Sequence, residues 1–189
     1  MWARGANWIP DHSFPSIIDK ARLRDRLEKA KDMGFNMLRI WGGGLYETDE
    51  FYDLCDELGI LVWQDFPFAC AYYPDDADWQ AVIRREASEN LKRLRNHPCL
   101  ALWCGNNENL EMHVNRWGGE RQPDRYYGEN HYNTVLPAVV SELAPHRAYI
   151  ATSPIGSPPD EKVVDAKRRG PNADGYGDQH NWDAWHGRG

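Results

Sequence analysis

The chain has 189 residues, enough for one domain with a substantial core, and its formal charge of −7 argues against a nucleic-acid partner, which calls for a basic surface. Nine Trp and nine Tyr are many for this length; part of them fill a core, and the remainder offer flat faces on which sugar rings stack. No apolar run approaches a membrane span and no signal peptide precedes the first structured segment, so no membrane partner is expected, and the reading leans to the cytoplasm if the source is bacterial.

Taken in order, residues 3–10 read as a strand ending in a turn, with Asn7 and Trp8 near its exit. Leu23, Leu27, Ala30 and Met33 recur at helical spacing across residues 17–33, and Gly34 stands where a C-cap belongs. Residues 35–41 form a second strand, closed by three glycines. Thr48 is placed to cap a helix with the stripe Phe51, Leu54, Cys55 and Leu58, stopped by Gly59. A third strand, residues 60–66, has Asp65 at its exit. After an aromatic loop, Asp78 reads as the cap of a helix whose inward face is Trp79, Val82, Ile83, Ala87, Leu91 and Leu94. Leu100 to Trp103 make a fourth strand, and Gly105 ends it before Asn106, Asn107, Glu108 and Asn109. A long polar loop with Trp117 spans residues 111–129. A helix follows over 130–143, then a fifth strand over 148–153. Gly177-Asp-Gln-His180 reads as a sixth, with Trp182 and Trp185 beyond it.

The four cysteines, Cys55, Cys70, Cys99 and Cys104, lack a Cys-x-x-Cys spacing and read as reduced, buried thiols. The runs Arg84-Arg85 and Lys167-Arg168-Arg169 are short and read as solvated.

Strands that are mostly apolar runs, alternating with helices, point to an α/β fold with a parallel sheet, either a β/α barrel or a doubly wound sheet. Asn7, Arg39, Trp41, Asp65, Asn107, Glu108 and His180 lie at or near the exits of several different strands. A barrel gathers all its exits around one pocket, whereas a doubly wound sheet uses one switch point. The expected architecture is therefore a partial TIM (β/α)8 barrel with about six of eight βα units. Such a chain is expected to be an incomplete catalytic domain, with open strand edges that missing strands or self-association would cover.

Arg4-Gly-Ala-Asn-Trp-Ile-Pro10, Leu38-Arg-Ile-Trp-Gly-Gly-Gly44, Tyr46-Glu47, the block from Phe51 to Gly59, Val62-Trp-Gln-Asp-Phe66, Trp103-x-Gly-Asn-Asn-Glu108, and Gly177-Asp-x-His180 through Trp185-His-Gly187 together resemble the catalytic barrel of the β-mannosidases of glycoside hydrolase family 2. The resemblance implies a retaining exo-enzyme acting on terminal β-mannose of an oligosaccharide or β-mannoside, with no cofactor and no metal. It implies Glu108 as general acid/base and Asn107 as the partner of the sugar 2-hydroxyl. Trp41, Asp65, Trp117, His180, Trp182 and Trp185 would bind substrate. A retaining glycosidase needs a second carboxylate roughly 5 Å from the first. The family's nucleophile lies at the end of a seventh strand, outside this chain, so the chain alone is expected to be inactive. Asp65, the best internal alternative, is expected to bind sugar hydroxyls or to pair with Arg39. Other family 2 exo-glycosidases, or a non-catalytic sugar-binding barrel, remain alternatives.

Overall fold

Apolar stripes decide where the helices lie. The computed structural model describes residues 2–117, 126–156, 170–175, 177–183 and 185–187. Helix α1, Lys20–Asp32, buries Leu23 and Leu27 on one face, and Asp19 caps it by accepting the Arg22 N–H at 2.8 Å. Helix α2, Asp49–Leu58, buries Phe51, Tyr52, Leu54 and Cys55, and ends at Gly59 in the left-handed conformation (φ 70°) that glycine adopts without a Cβ clash. Helix α3, Ala77–Leu94, buries Ile83, Ala87, Leu91 and Leu94. The expected cap Asp78 lies one residue inside α3; Asp76 is the cap, accepting the Asp78 and Trp79 N–H groups. Trp79 and Val82 lie outside the stripe that continues to Leu94 and are exposed.

The strands are β1 Gly5–Trp8, β2 Met37–Ile40, β3 Leu61–Asp65, β4 Leu100–Cys104 and β5 Ala148–Ile150. They form one parallel sheet in the spatial order β1-β2-β3-β4-β5. That order decides the architecture, because a doubly wound sheet reverses direction at a switch point and this sheet does not. The chain is a partial β/α barrel. Side chains alternate across each strand: Leu38, Ile40 and Val62 are buried in the core shared with the helices, whereas Arg39 and Trp63 line the concave cavity. Asn7 and Arg39 are register partners, as are Arg39 and Trp63, so the three form a row across β1, β2 and β3.

Three expectations change. Gly177–His180 forms no strand, leaving five strands among the described residues; these residues are held by side-chain bonds instead of a ladder. The polar loop after Glu108 begins as a helix, α4, Asn109–Asn115. The helix over residues 130–143 opens as a π turn at His131–Val135 and continues as α5, Leu136–Leu143, burying Leu136, Val139 and Val140. Residues 118–125 and 157–169, including Lys167-Arg168-Arg169, lie outside the described residues. Among the described residues no helix is long and apolar enough to cross a membrane.

Candidate active site

The exit of β4 is stitched to both neighbours. Asn106 is fully buried; its Oδ1 accepts from the Asn109 N–H and from Thr152 Oγ1, and its Nδ2 donates to the Ala151 carbonyl. The Asn107 N–H donates to Phe68 O at 2.9 Å on one side, and the Glu108 N–H to Ser153 O at 2.7 Å on the other. Glu108 itself adopts φ 61°, ψ 6°, a left-handed conformation that disfavours a Cβ. This turn delivers its side chain into a cavity of about 950 Å³ at the C-terminal ends of the strands.

Glu108 Oε1 lies 2.6 Å from His180 Nδ1 and accepts from Trp182 Nε1 at 3.3 Å; Oε2 lies 3.6 Å from the Cys70 thiol. The side chain keeps 13 % of its surface exposed. The His180 hydrogen bond holds the Glu108 carboxyl below its ordinary range, outweighing burial, which acts the other way.

Of the candidate residues, the structure brings Trp41, Asn107, Glu108, His180, Trp182 and Trp185 to the cavity wall. Two are not there. Asp65 has a side chain with 0 % exposure, gripped by Arg39 through Nη2–Oδ2 at 2.8 Å and Nε–Oδ1 at 3.2 Å. The Gly42 N–H and Trp63 Nε1 supply two further donors to Asp65. With four donors on it, this carboxylate is occupied by the protein: it fixes Arg39, which in turn donates to Asn107 Oδ1 at 2.9 Å. Trp117 packs against Tyr72, ring centroids 4.6 Å apart, off the cavity.

Cys70 is a site residue that sequence reading missed. Instead of being buried, it is exposed at the cavity wall. Its backbone is left-handed (φ 47°), and its sulfur accepts from Asn107 Nδ2 at 3.4 Å. Burial, followed by the Glu108 charge, pushes its thiol up. Nothing in residues 67–77 read as sequence marks that backbone. Ser153 and Asp178 also line the cavity. Asp178 is seated by Gly177 (φ 59°), whose Cβ would meet the Ile155 carbonyl oxygen at 1.8 Å.

Metal-type donors gather elsewhere among the described residues. Asp56, His97 and Cys99 bring ligand atoms within 4.8 Å of one another, at the opposite, N-terminal end of β4. Both Asp56 oxygens are already engaged, by His97 Nδ1 at 2.6 Å and the Cys99 N–H at 2.7 Å. A half-buried carboxylate completed by protein donors fits a structural clasp.

Fold and site together define a β/α-barrel protein whose polar, aromatic-walled cavity sits at the strand exits. The model of the glycosyl hydrolases family 2 TIM barrel domain matches residues 15–147, and the chain belongs to that family. It is similar to a β-mannosidase of Bos taurus, 49 % identical over 62 % of this chain and 13 % of the relative. It is 38 % identical to the β-mannosidase B of Thermothelomyces thermophilus over 99 % of this chain and 22 % of the relative. The crystal structure of a β-D-mannosidase from Dictyoglomus thermophilum superposes with a TM-score of 0.88 at 49 % identity, covering 98 % of this chain and 21 % of that one. The chain thus spans about a fifth or less of the length of these relatives.

Proposed function

We propose that the chain forms part of the catalytic barrel of a retaining exo-glycosidase that removes terminal non-reducing β-D-mannose, with Glu108 as its general acid/base. The observation that carries this reading is the Glu108 carboxyl at a barrel-strand exit, inside a cavity walled by Trp41, Trp182 and Trp185 and beside the amide of Asn107. β-Mannosidase names among the relatives, one matching at 49 % identity across 98 % of the chain, support mannose over the other sugars of the family.

In this reading, the general acid protonates the departing glycosidic oxygen and later, as a base, activates water. It must therefore carry a proton when substrate is bound, whereas the empty site keeps Glu108 ionised through His180. Two changes reverse that preference. A neutral sugar displaces water, and a second carboxylate placed roughly 5 Å away adds a like charge. Among the described residues neither nearby carboxylate is free for that attack. Asp65 is locked by Arg39, and Asp178 is turned toward Ser153 and the Ile155 N–H. As the family resemblance implies, the attacking carboxylate is assigned to the exit of a seventh barrel strand outside this chain, a reading that the engagement of Asp65 and Asp178 supports.

The test separates binding from turnover. The 189-residue chain is expected to show mannose-dependent change in Trp fluorescence, with galactose and glucuronate weaker, and no hydrolysis of an aryl β-mannoside. No response to mannose would overturn the sugar-site reading. Hydrolysis abolished by Glu108→Gln would overturn the external assignment of the second carboxylate.

A further inference from the structure

The run Gly42-Gly43-Gly44 follows Trp41 at the exit of β2, and each glycine makes room for a different neighbour. The run forms a tight turn, the Gly44 N–H donating to the Trp41 carbonyl at 3.0 Å. At Gly42 a Cβ would lie 2.6 Å from the Phe68 carbonyl oxygen and 2.7 Å from that of Phe66, and the Gly42 N–H donates to Asp65 Oδ2. Its neighbours are backbone, so Gly42 serves the close approach of this turn to the loop after β3. At Gly44 a Cβ would meet the Pro10 ring at 2.9 Å. Gly43 differs from both. A Cβ there would stand 2.0 Å from Trp41 Cη2, 2.2 Å from Cζ3 and 2.5 Å from Cζ2, all atoms of the six-membered ring of one indole.

The backbone of Gly43 does not call for glycine, because its φ lies outside the left-handed region that Gly34, Gly59 and Gly177 occupy. What excludes a side chain is the Trp41 ring, folded back over the turn. Trp41 lines the cavity and Gly43 does not, so the indole stands between the turn and the space offered to a sugar. No hydrogen bond or ring pair among the described residues holds that indole, and packing sets its plane. Stacking an apolar sugar face on an aromatic ring needs the ring held to about 0.5 Å. A methyl group at residue 43 would have to be cleared from 2.0 Å to the 3.4 Å at which ordinary contact begins, a shift well beyond that tolerance. The obstructing atoms are the far end of a side chain that turns about two bonds, so the ring gives way and the backbone does not.

We propose that Gly43 is a positioning residue: by carrying no side chain it seats the Trp41 indole against the turn and so fixes the aromatic wall that the cavity presents to a sugar. This rests on the reading of Trp41 as a sugar-stacking wall. It divides the labour of the glycine run. Gly42 and Gly44 serve the packing of the chain, and Gly43 serves the site.

The test combines proton NMR with mannose titration of the 189-residue chain. In the wild type, a nuclear Overhauser contact is expected between the Trp41 six-membered-ring protons and the Gly43 Hα protons, with Trp41 assigned by its loss in Trp41→Ala. In Gly43→Ala the Trp41 indole N–H resonance is expected to shift and the urea midpoint to stay at the wild-type value. Mannose binding by calorimetry is expected to weaken about tenfold in this variant, the loss that removal of the ring itself produces. In the Trp41→Ala background, Gly43→Ala is expected to weaken binding no further, an outcome that a general structural role would not give. Gly42→Ala, which drives a Cβ onto backbone oxygens, is the contrast and should lower the urea midpoint. An absent Overhauser contact in the wild type overturns the proposal, as does a Gly43→Ala chain with an unmoved indole signal and wild-type affinity. Equal weakening in both backgrounds also overturns it, as does a Gly43→Ala chain that fails to fold, since the ring was then not free to yield. The NMR measurements need no sugar, so a wild-type chain that ignores mannose counts against the carbohydrate reading and leaves the seating of Trp41 to be decided by the spectra.

Discussion

Replacing Arg39 by Met, which keeps an unbranched stem and removes the guanidinium, is expected to lower the stability of the chain by about 3–5 kcal/mol, the range for stranding one partner of a buried ion pair. The geometry supports the upper class of effect. The Asp65 side chain is 0 % exposed and that of Arg39 11 %, so the carboxylate is desolvated in the fold, and only water entering from the cavity that Arg39 lines would face it in place of the cation. The donors left to Asp65, the Gly42 N–H and Trp63 Nε1, carry no formal charge. An exposed pair would be worth only about 0–1 kcal/mol, so the size of the loss separates the two situations. Urea unfolding followed by Trp fluorescence would measure it as a lower midpoint at unchanged slope. The pH dependence gives a second check. Burial already raises the wild-type Asp65 carboxyl above its ordinary 3.8, and Arg39 holds that rise down. Without the guanidinium Asp65 rises further, so the folded variant takes up its proton at higher pH than the folded wild type and the deficit shrinks as pH falls from neutral. Adding Asp65→Asn to Arg39→Met should recover part of the loss at neutral pH. A deficit under about 1 kcal/mol, or one that does not shrink on acidification, would refute the buried-pair argument.

Glu108→Gln tests the His180 contact. Because the folded carboxyl sits below its ordinary value of 4.5, its contribution to stability is complete above that pH and is lost as pH falls through the folded value. Unfolding titrations from neutral to acid pH should therefore show a shallower acid limb in the variant. Trp41→Ala, which strips an aromatic face from the cavity, should weaken mannose binding about tenfold, or about 1.4 kcal/mol, by titration calorimetry. Trp117→Ala, on a residue packed against Tyr72 off the cavity, should leave it unchanged. Gly177→Ala forces a side chain into the left-handed region and onto the Ile155 carbonyl; a loss of at least about 1–2 kcal/mol in urea melts is expected.

The elements most legible in the sequence were those whose burial is periodic. Leu23 and Leu27 of α1, the stripe of α2, the Ile83 to Leu94 stripe of α3 and the apolar runs of β2, β3 and β4 follow directly from side-chain spacing, whereas Met33, Trp79 and Val82, which the same spacing placed inward, are exposed and β1 buries none of its residues; the strand exits led to the cavity. Helix α4 was not legible because its buried set is Asn109, Leu110 and His113, which on paper is mostly polar. Its start depends on the buried Asn106 amide accepting the Asn109 N–H. Gly177–His180 looked like a strand, but its order comes from Asn172 and Asp178 side chains bonding to backbone, an interaction that leaves no period to read. Asp65 was recognised as either a sugar ligand or the partner of Arg39, and the choice turned on burial, which a strand-exit position does not specify. Cys70 and Ser153 reach the cavity through loop conformations on either side of β4, fixed by cross-strand contacts of Asn107 and Glu108 rather than by their own neighbours in sequence.

The left-handed backbone at Glu108 means that the residue with the chemical duty is also the one the local fold would least choose. Removing its Cβ would relieve about 1–2 kcal/mol of steric conflict. A chain tuned for folding alone would carry glycine at this position. Glu108→Gly should therefore melt higher than Glu108→Gln at acid pH, where the wild-type carboxyl has lost its hold on His180. Stability and chemistry pull in opposite directions at one backbone torsion, so a screen for thermostable variants of this barrel would tend to erase its acid first.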